Sequence, residues 1–506
     1  NVCNFKCLKS KDILVNTPKS YFLRSFLIIL MAACFFLGLK EVLPKKIFAA
    51  AKGPSKNVLI DSMLIDAFES EPDSVAITPN DTMSDQKIVF EESFGVTFPE
   101  ESMDSYKGYQ YLIPFYERLY QLETNQNGKV RIAYFGDSMT DGDMIVQDVR
   151  AAFQNNFGGK GVGFVSITSE SAASRGSVLH QFSENWKMQS YLNVKNPIRP
   201  FGVNGHVFFA NDTNKDIWVK FGAGRARNTA SLDNPTLFYG SSANTSGYIS
   251  YQLEKDTINK SLTANNLLNT IVLKNGNMKA LKVNFKNAQS VPVYGFNFDD
   301  GKGVHVDNFS QRGNSGIPIS KFDPALMQAF QKKLNYNLIV LHYGTNVLNY
   351  GTKDYNWYAR SMTKTVNRLR EGFPGASILI VSTADKASKY KTEMKTDSAV
   401  VPLTNAQRNY ALKTQSGFVN LYTLMGGDGS MVKWVEQEPA MANKDYTHFN
   451  IRGSKKVAGM IYDQIMNGYQ EYKRLRRTIK TVKPVAPKDS AIAQPVVPKT
   501  EETDEN

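Results

Sequence analysis

The sequence predicts a mixed α/β protein in which a parallel-sheet domain is interrupted by an antiparallel β-sandwich. Three observations predict it. Short continuous apolar runs, Ile132–Phe135, Asn337–Tyr343 and Ala376–Ser382, suit strands buried on both faces of a parallel sheet. Stretches with helical spacing follow them, Met144–Phe157, Pro324–Leu334 and Asp354–Phe373. From about Phe164 to Gly303 the texture changes to apolar/polar alternation punctuated by Asn, Asp, Gly and Ser clusters, as antiparallel strands with one buried face require.

With 506 residues the chain can form two or three domains with a full core. The net charge of +13 does not mark a nucleic-acid partner, because much of the basic excess sits near the two ends. Asp61 to Asp104 is acidic with Lys87 its only basic residue, and no basic-aromatic stripe tracks a phosphate backbone. Cys3, Cys7 and Cys34 all precede residue 47. The globular part therefore has no internal disulfide, thiolate nucleophile or Cys-ligated zinc. The histidines (180, 206, 305, 342, 448) are scattered and form no HExxH-type pair, so no catalytic metal is indicated.

Residues 1–46 read as a basic segment with a membrane anchor or signal, its apolar core at 22–39 and Lys19 and Arg24 at or before its start. An uncleaved anchor is favoured over a signal peptide cut near Ala49-Ala50-Ala51 or a lipoprotein signal ending at Cys34. Each reading delivers the folded part beyond the cytoplasmic membrane. Residues 47–105 read as an acidic tether.

The first α/β segment spans 106–163. Tyr109–Leu122 has helical spacing, with Pro114 starting or kinking it. Arg131 to Phe135 is a strand, Gly136-Asp137-Ser138 breaks it, and a helix follows. That arrangement puts the Ser138 hydroxyl at the C-terminal edge of the sheet, where open parallel sheets bind ligands. Its N–H would lie near a helix N-terminus. Gly158 to Gly163 is Gly-rich but lacks Walker spacing and follows a helix, so it reads as a plain loop.

The insertion, 164–303, carries strands at 206–211, 216–222, 236–242, 248–254, 269–274, 280–285 and 291–298. Its aromatic residues Trp218, Phe221, Tyr239, Tyr248 and Tyr251 can stack on sugar rings or fill a sandwich core. The second α/β segment, 304–477, adds a strand at 304–309, the two apolar runs, a helix at 405–414 and a short strand at 418–421. A last helix runs from Ile451 to about Arg477, with Asn450 placed to cap it. Residues 478–506 read as a disordered tail.

Ser138 needs a base. Asp445 and His448, three apart in a loop before the last helix, can pair carboxylate to imidazole Nδ1–H and leave Nε2 free for the Ser138 proton. Gly344-Thr345-Asn346 ends a second strand at the same sheet edge, where Asn346 can donate a side-chain N–H to a developing oxyanion. The Gly-rich end of a third strand, Asn308 to Gly316, can aim a backbone N–H into the same space.

Gly136-Asp137-Ser138, the Gly316 turn, Gly344-Thr345-Asn346 and Asp445-x-x-His448 resemble, in order, the four blocks of the SGNH (GDSL-type) hydrolases. The resemblance covers roughly 130–163 and 304–470. It implies a flavodoxin-like three-layer fold, a parallel sheet between helices. It implies Ser138 as nucleophile and first oxyanion donor, Gly316 and Asn346 as the other donors, with Gly313 the rival to Gly316. His448 would be the base and Asp445 its partner. Thr345 and Val347 depart from the usual third block.

The insertion is similar to that of bacterial envelope O-acetylesterases and O-acetyltransferases, in which a module like a carbohydrate-binding domain interrupts the hydrolase. The implied activity is hydrolysis of O-acyl, above all O-acetyl, esters on peptidoglycan or another acetylated polysaccharide, without a cofactor. An O-acetyltransferase, a lipase or thioesterase, and a non-catalytic glycan-binding protein are the rivals.

Overall fold

The computed structural model describes residues 25–32, 34–35, 61–69, 87–211, 216–350 and 353–478. The chain divides into two units, Asn1–Val58 and Leu59–Asn506. In the first, 25–32 and 34–35 are helical and exposed. Among the described residues no helix is long and apolar enough to cross a membrane. The rest of the expected anchor and the expected tail beyond 478 lie outside the described residues.

The second unit is built on five parallel strands: β1 (Lys129–Gly136), β2 (Gly303–Asn308), β3 (Tyr336–His342), β4 (Ser377–Val381) and β5 (Gly417–Val419). Their order is β2-β1-β3-β4-β5, and every neighbouring pair is parallel. That is the flavodoxin-like order, whose switch point lies between β1 and β3. All residues of β3, β4 and β5 are buried. Their unbroken apolar runs therefore fit strands covered on both faces.

Two groups of helices flank the sheet. α2 (Ile113–Asn125) packs on β1 and β3, α3 (Val146–Phe157) on β2, and α7 (Ile451–Thr478) on α2 and α3. α4 (Pro324–Leu334) and α6 (Val400–Lys413) pack on α5 (Asn356–Gly372), and α6 also touches β4 and β5. Pro114 lies in the first turn of α2, where its missing N–H costs nothing. The Asn450 side chain accepts from Arg452 N at 3.0 Å and Gly453 N at 3.1 Å, capping α7.

Between α3 and β2 the chain forms a two-stranded antiparallel sheet, Leu232–Asp233 with Asn277–Met278, and two large ones. One runs Leu268–Val272, Thr236–Gly240, Val293–Phe298, His206–Phe209, Lys187–Ser190, with Gly163–Ser166 also paired to Val293–Phe298. The other runs Asp256–Ser261, Tyr248–Leu253, Ala280–Lys286, Ile217–Ala223, Val178–Phe182. Residues of both share one apolar cluster, in which Phe221 lies 5.2 Å from Phe296 between ring centroids. Phe221, Tyr239 and Tyr251 are core residues of it, whereas Trp218 and Tyr248 keep partly exposed surfaces. The alternating pattern omits Val178–Phe182, Lys187–Ser190 and Asp256–Ser261, the last of these an edge strand with no fully buried residue.

A buried ion cluster ties this insertion to the nucleophile strand. Arg131 on β1 is fully buried and donates to Asp307 on β2 at 2.7 and 2.8 Å, and to Asp299 and Asn297 at the end of the insertion.

The tether reading of 47–105 needs correcting. α1 (Ser62–Glu69) is a helix, and Leu64, Phe90, Val96 and Phe98 are buried. Phe68 lies 5.2 Å from Tyr350 and 5.6 Å from Trp357 between ring centroids. Isolated apolar anchors in an acidic stretch give no periodicity, yet each gains from burial. Residues 47–60 and 70–86 lie outside the described residues.

The Gly158–Gly163 stretch is a packing loop. A Cβ on Gly161 would fall 2.1 Å from the Phe298 carbonyl oxygen, at φ +103.

Candidate active site

β1 ends at Gly136 and the chain turns at once, Thr140 N and Asp141 N donating to Asp137 O at 3.2 and 3.0 Å. Ser138 sits on this turn, partly exposed, and its N–H donates to no group among the described residues. The helix expected directly after it begins only at Val146, beyond a short 3-10 turn at Asp141–Asp143 and a left-handed Ile145 at φ 63. The α3 dipole, which falls off within a turn, therefore does not act at Ser138.

Ser138 Oγ lies 3.0 Å from His448 Nε2, and His448 Nδ1 lies 2.8 Å from Asp445 Oδ2. The carboxylate is acceptor-only when ionised, so Nδ1 carries the proton and Nε2 offers its lone pair to the serine hydroxyl. Asp445 Oδ1 also accepts from the backbone N–H of Thr447 and of His448, each at 3.0 Å. Burial pushes this carboxyl up, but the His448 backbone and ring bonds and the Thr447 N–H outweigh it and hold it below the usual range. The loop is pinned at both ends, Asn443 N donating to His448 O at 2.8 Å and Ala387 N to Tyr446 O at 3.0 Å.

Asn346 follows β3 across the switch point. Its Nδ2 donates to Asn314 O at 3.0 Å and reaches Asp137 Oδ2 at 3.5 Å. Asp137, fully buried under the nucleophile, also accepts from Met139 N at 2.9 Å and from Thr345. Burial pushes it up to about 6. Asp137 thus ties the first block to the third.

The structure does not leave Gly316 as an oxyanion donor. Gly316 is buried, and its N–H already donates to Asn314 Oδ1 at 2.9 Å. Its φ of +91 starts the 3-10 turn Ile317–Lys321, which turns the N–H inward. Gly313 is partly exposed at φ +75, and its N–H has no acceptor among the described residues. Gly313 is the rival that the sequence offers to Gly316.

Two residues that sequence reading passed over support this loop. Asn314 holds both Gly316 and Asn346. Asp61, from the supposed tether, accepts Ser315 N at 3.1 Å as well as the Ser315 hydroxyl. A lone Asp in an acidic run carries no spacing signal that would have found it. Among the described residues no cluster of His, Cys, Asp or Glu is placed to hold a metal ion.

Beside the nucleophile turn a cleft of about 570 Å³ opens between the α/β part and the inserted sheets. Asp141, Ser310 and Arg312 line one wall, and Thr168, Phe182 and Met188 line the other.

No family model matches the sequence, and no curated protein matches it. The fold is similar to that of a solved peptidoglycan O-acetylesterase, at 20% identity over 71% of this chain and 96% of that one, with a TM-score of 0.58. A carbohydrate esterase of family 2 with its carbohydrate-binding domain, from Corynascus thermopiles, matches 57% of this chain and 99% of its own at 12% identity, TM-score 0.24. An acetyl xylan esterase matches 32% of this chain and 80% of its own at 15% identity, TM-score 0.24. The first likeness shows a shared fold; the other two superpose loosely.

Proposed function

We propose that this chain is a serine esterase that removes O-acyl groups, chiefly O-acetyl, from a carbohydrate polymer through an acyl-Ser138 intermediate. One observation carries the reading: Asp445, His448 and Ser138 form a continuous hydrogen-bonded relay at the edge of β1. The fold shared with a peptidoglycan O-acetylesterase supports the ester and glycan parts of it.

His448 Nε2 takes the Ser138 proton as Oγ attacks the ester carbonyl carbon. Negative charge gathers on the carbonyl oxygen, where the N–H groups of Ser138 and Gly313 and the Asn346 amide stabilise it. Asn346 reaches it by giving up its long contact to Asp137. His448 then returns the proton to the leaving sugar oxygen, and the acyl group stays on Ser138. Water, deprotonated by His448, attacks that acyl carbon, the bond to Ser138 Oγ breaks, and His448 returns the proton to Oγ as the acid leaves.

The His448 and Asp445 side chains are 39% and 49% exposed. Such open access to water favours hydrolysis over transfer to a second sugar hydroxyl. We read the two large antiparallel sheets as the faces of a β-sandwich that positions the glycan, and the helices as layers on both faces of the parallel sheet. The apolar N-terminal stretch supports export, with the folded part acting in the cell envelope.

The test is acetate release from O-acetylated peptidoglycan and from acetylated xylan, wild type against Ser138→Ala. The reading expects release from at least one polymer and none from the variant. Release by Ser138→Ala at the wild-type rate would overturn it.

A further inference from the structure

We propose that the cleft beside the nucleophile turn is a subsite that seats a neutral pyranose adjoining the acylated sugar; this rests on the esterase reading. The cleft is attached to the catalytic turn. Gln311 N donates to Gly136 O at 3.0 Å, and the Thr140 and Ser310 hydroxyls lie 2.7 Å apart. Asp141 in its wall is three residues from Ser138, at most about 11 Å even for fully extended chain. That is within reach of linked sugars.

Most of its charges are paired within the protein. Asp141 accepts from Arg312 Nε and the Ser171 hydroxyl, each at 2.8 Å. Asp143 holds Arg150 at 2.7 and 3.0 Å, with Arg175 at 3.6 Å. What is left for a ligand is polar: the side chains of Glu170 and Asn193 bond to no described residue. His206 holds Asn204 O through Nδ1 at 2.9 Å, and burial pushes its ring down to about 4, so Nε2 is a neutral acceptor. Phe182 and Met188 add partly exposed apolar surface. A pyranose presents the same combination, a C–H face with hydroxyls round its rim. Arg175 Nη2, which has no hydrogen-bond partner among the described residues, offsets Glu170 in the lining, so the cleft presents no net charge for an ionised sugar to complement.

Calorimetry of Ser138→Ala protein with chitotetraose and with xylotetraose tests the subsite. At least one saccharide should bind. Adding Phe182→Ala, which strips apolar contact, or Thr168→Trp, which fills the cleft, should weaken Kd by about tenfold or more. Thr168→Trp keeps the test sound if Phe182→Ala melts early. Trp218→Ala, on the strand paired with that of Phe182 but outside the cleft lining, should change Kd by less than about twofold. No binding by either saccharide, undiminished binding in both cleft variants, or loss of binding in Trp218→Ala would overturn the proposal. Polymer deacetylation with no effect of the cleft variants would remove the subsite alone, and saccharide binding without acetate release would remove the esterase reading alone.

A separate observation assigns Asp61 as a positioning residue for the oxyanion loop. Its carboxyl is 1% exposed and pairs with no basic side chain among the described residues. It is held by Met63 N at 3.0 Å and Leu64 N at 3.2 Å on one oxygen, and by Ser315 on the other. Ser315 is flanked by Asn314, whose carbonyl holds Asn346, and its own carbonyl accepts the Tyr358 hydroxyl at 2.8 Å. The entry to α1 therefore braces the loop that holds the Asn346 amide. Asp61→Ala should lower kcat about tenfold or more with KM within about twofold, because small misplacements of a reacting group are costly. Asp61→Asn, which keeps an acceptor, should recover much of the loss. If Asp61→Ala fails to fold, Ser315→Ala should show the same split. Lys195→Ala, which breaks the exposed Lys195–Asp66 pair of the same helix, should leave kcat unchanged. Wild-type kcat in Asp61→Ala, or in Ser315→Ala where that variant stands in, would overturn the assignment.

Discussion

The backbone N–H of Gly316 donates to the side-chain Oδ1 of Asn314 at 2.9 Å, inside a buried turn. That bond occupies the N–H that the family pattern assigns to the oxyanion, so the proposed mechanism gives the role to Gly313. The two glycines should therefore respond differently. A Cβ on Gly316 would lie 2.8 Å from Tyr343 Cδ2 at a left-handed φ, so Gly316→Ala should cost about 1–3 kcal/mol and lower Tm. Gly313→Ala, also at a left-handed φ of +75, should share the backbone cost but lower kcat much more, because its N–H faces the proposed oxyanion. Thermal melts and aryl-acetate kinetics on both variants check this; equal kcat losses at equal Tm losses would contradict it.

Asn346 spans the switch point with one N–H on Asn314 O and the other only loosely on Asp137. Asn346→Ala should lower kcat on the order of 10²–10³-fold with little change in KM, as for other oxyanion donors. Steady-state kinetics on a soluble acetyl ester measure it.

Asp137 is pushed up to about 6 by burial, so the folded state binds its proton more tightly than the unfolded state does. The sign follows: this group's contribution to stability is full below its unfolded value and is lost as pH rises through about 6. Relative to Asp137→Asn, wild-type stability should fall between about pH 4 and pH 6 and then run parallel. Denaturant melts of both proteins across pH 4 to 8 read this directly.

Arg131 neutralises Asp307 and Asp299 with no access to water. Arg131→Met should cost about 3–5 kcal/mol, because it strands buried carboxylates. The loss should appear as a large drop in denaturation midpoint with no change in the chemistry of the molecules that remain folded.

The parallel strands were legible because burial on both faces leaves unbroken apolar runs, as in Leu338–Leu341 and Ile378–Val381. Most insertion strands were legible through alternation. Asp256–Ser261 was not, since an edge strand without a fully buried residue shows little alternation. Ser138, His448 and Asp445 were placed by chemistry and order alone, and the fold brings them together. The sequence could not choose between Gly316 and Gly313, because the two glycines differ in which N–H the turn occupies, a matter of hydrogen bonding that spacing does not encode. Asp61 escaped because its partner Ser315 lies 254 residues away. α6 starts at Val400, earlier than its periodicity suggested, because Pro402 in the first turn is compatible with a helix start.

The most direct test of the central claim is covalent labelling by a serine-directed fluorophosphonate, read by intact-protein mass and peptide mapping. One adduct on Ser138 is expected, lost in Ser138→Ala and slowed in His448→Ala. A wild-type protein that stays unlabelled, or an adduct that persists in Ser138→Ala, would contradict the acyl-serine account.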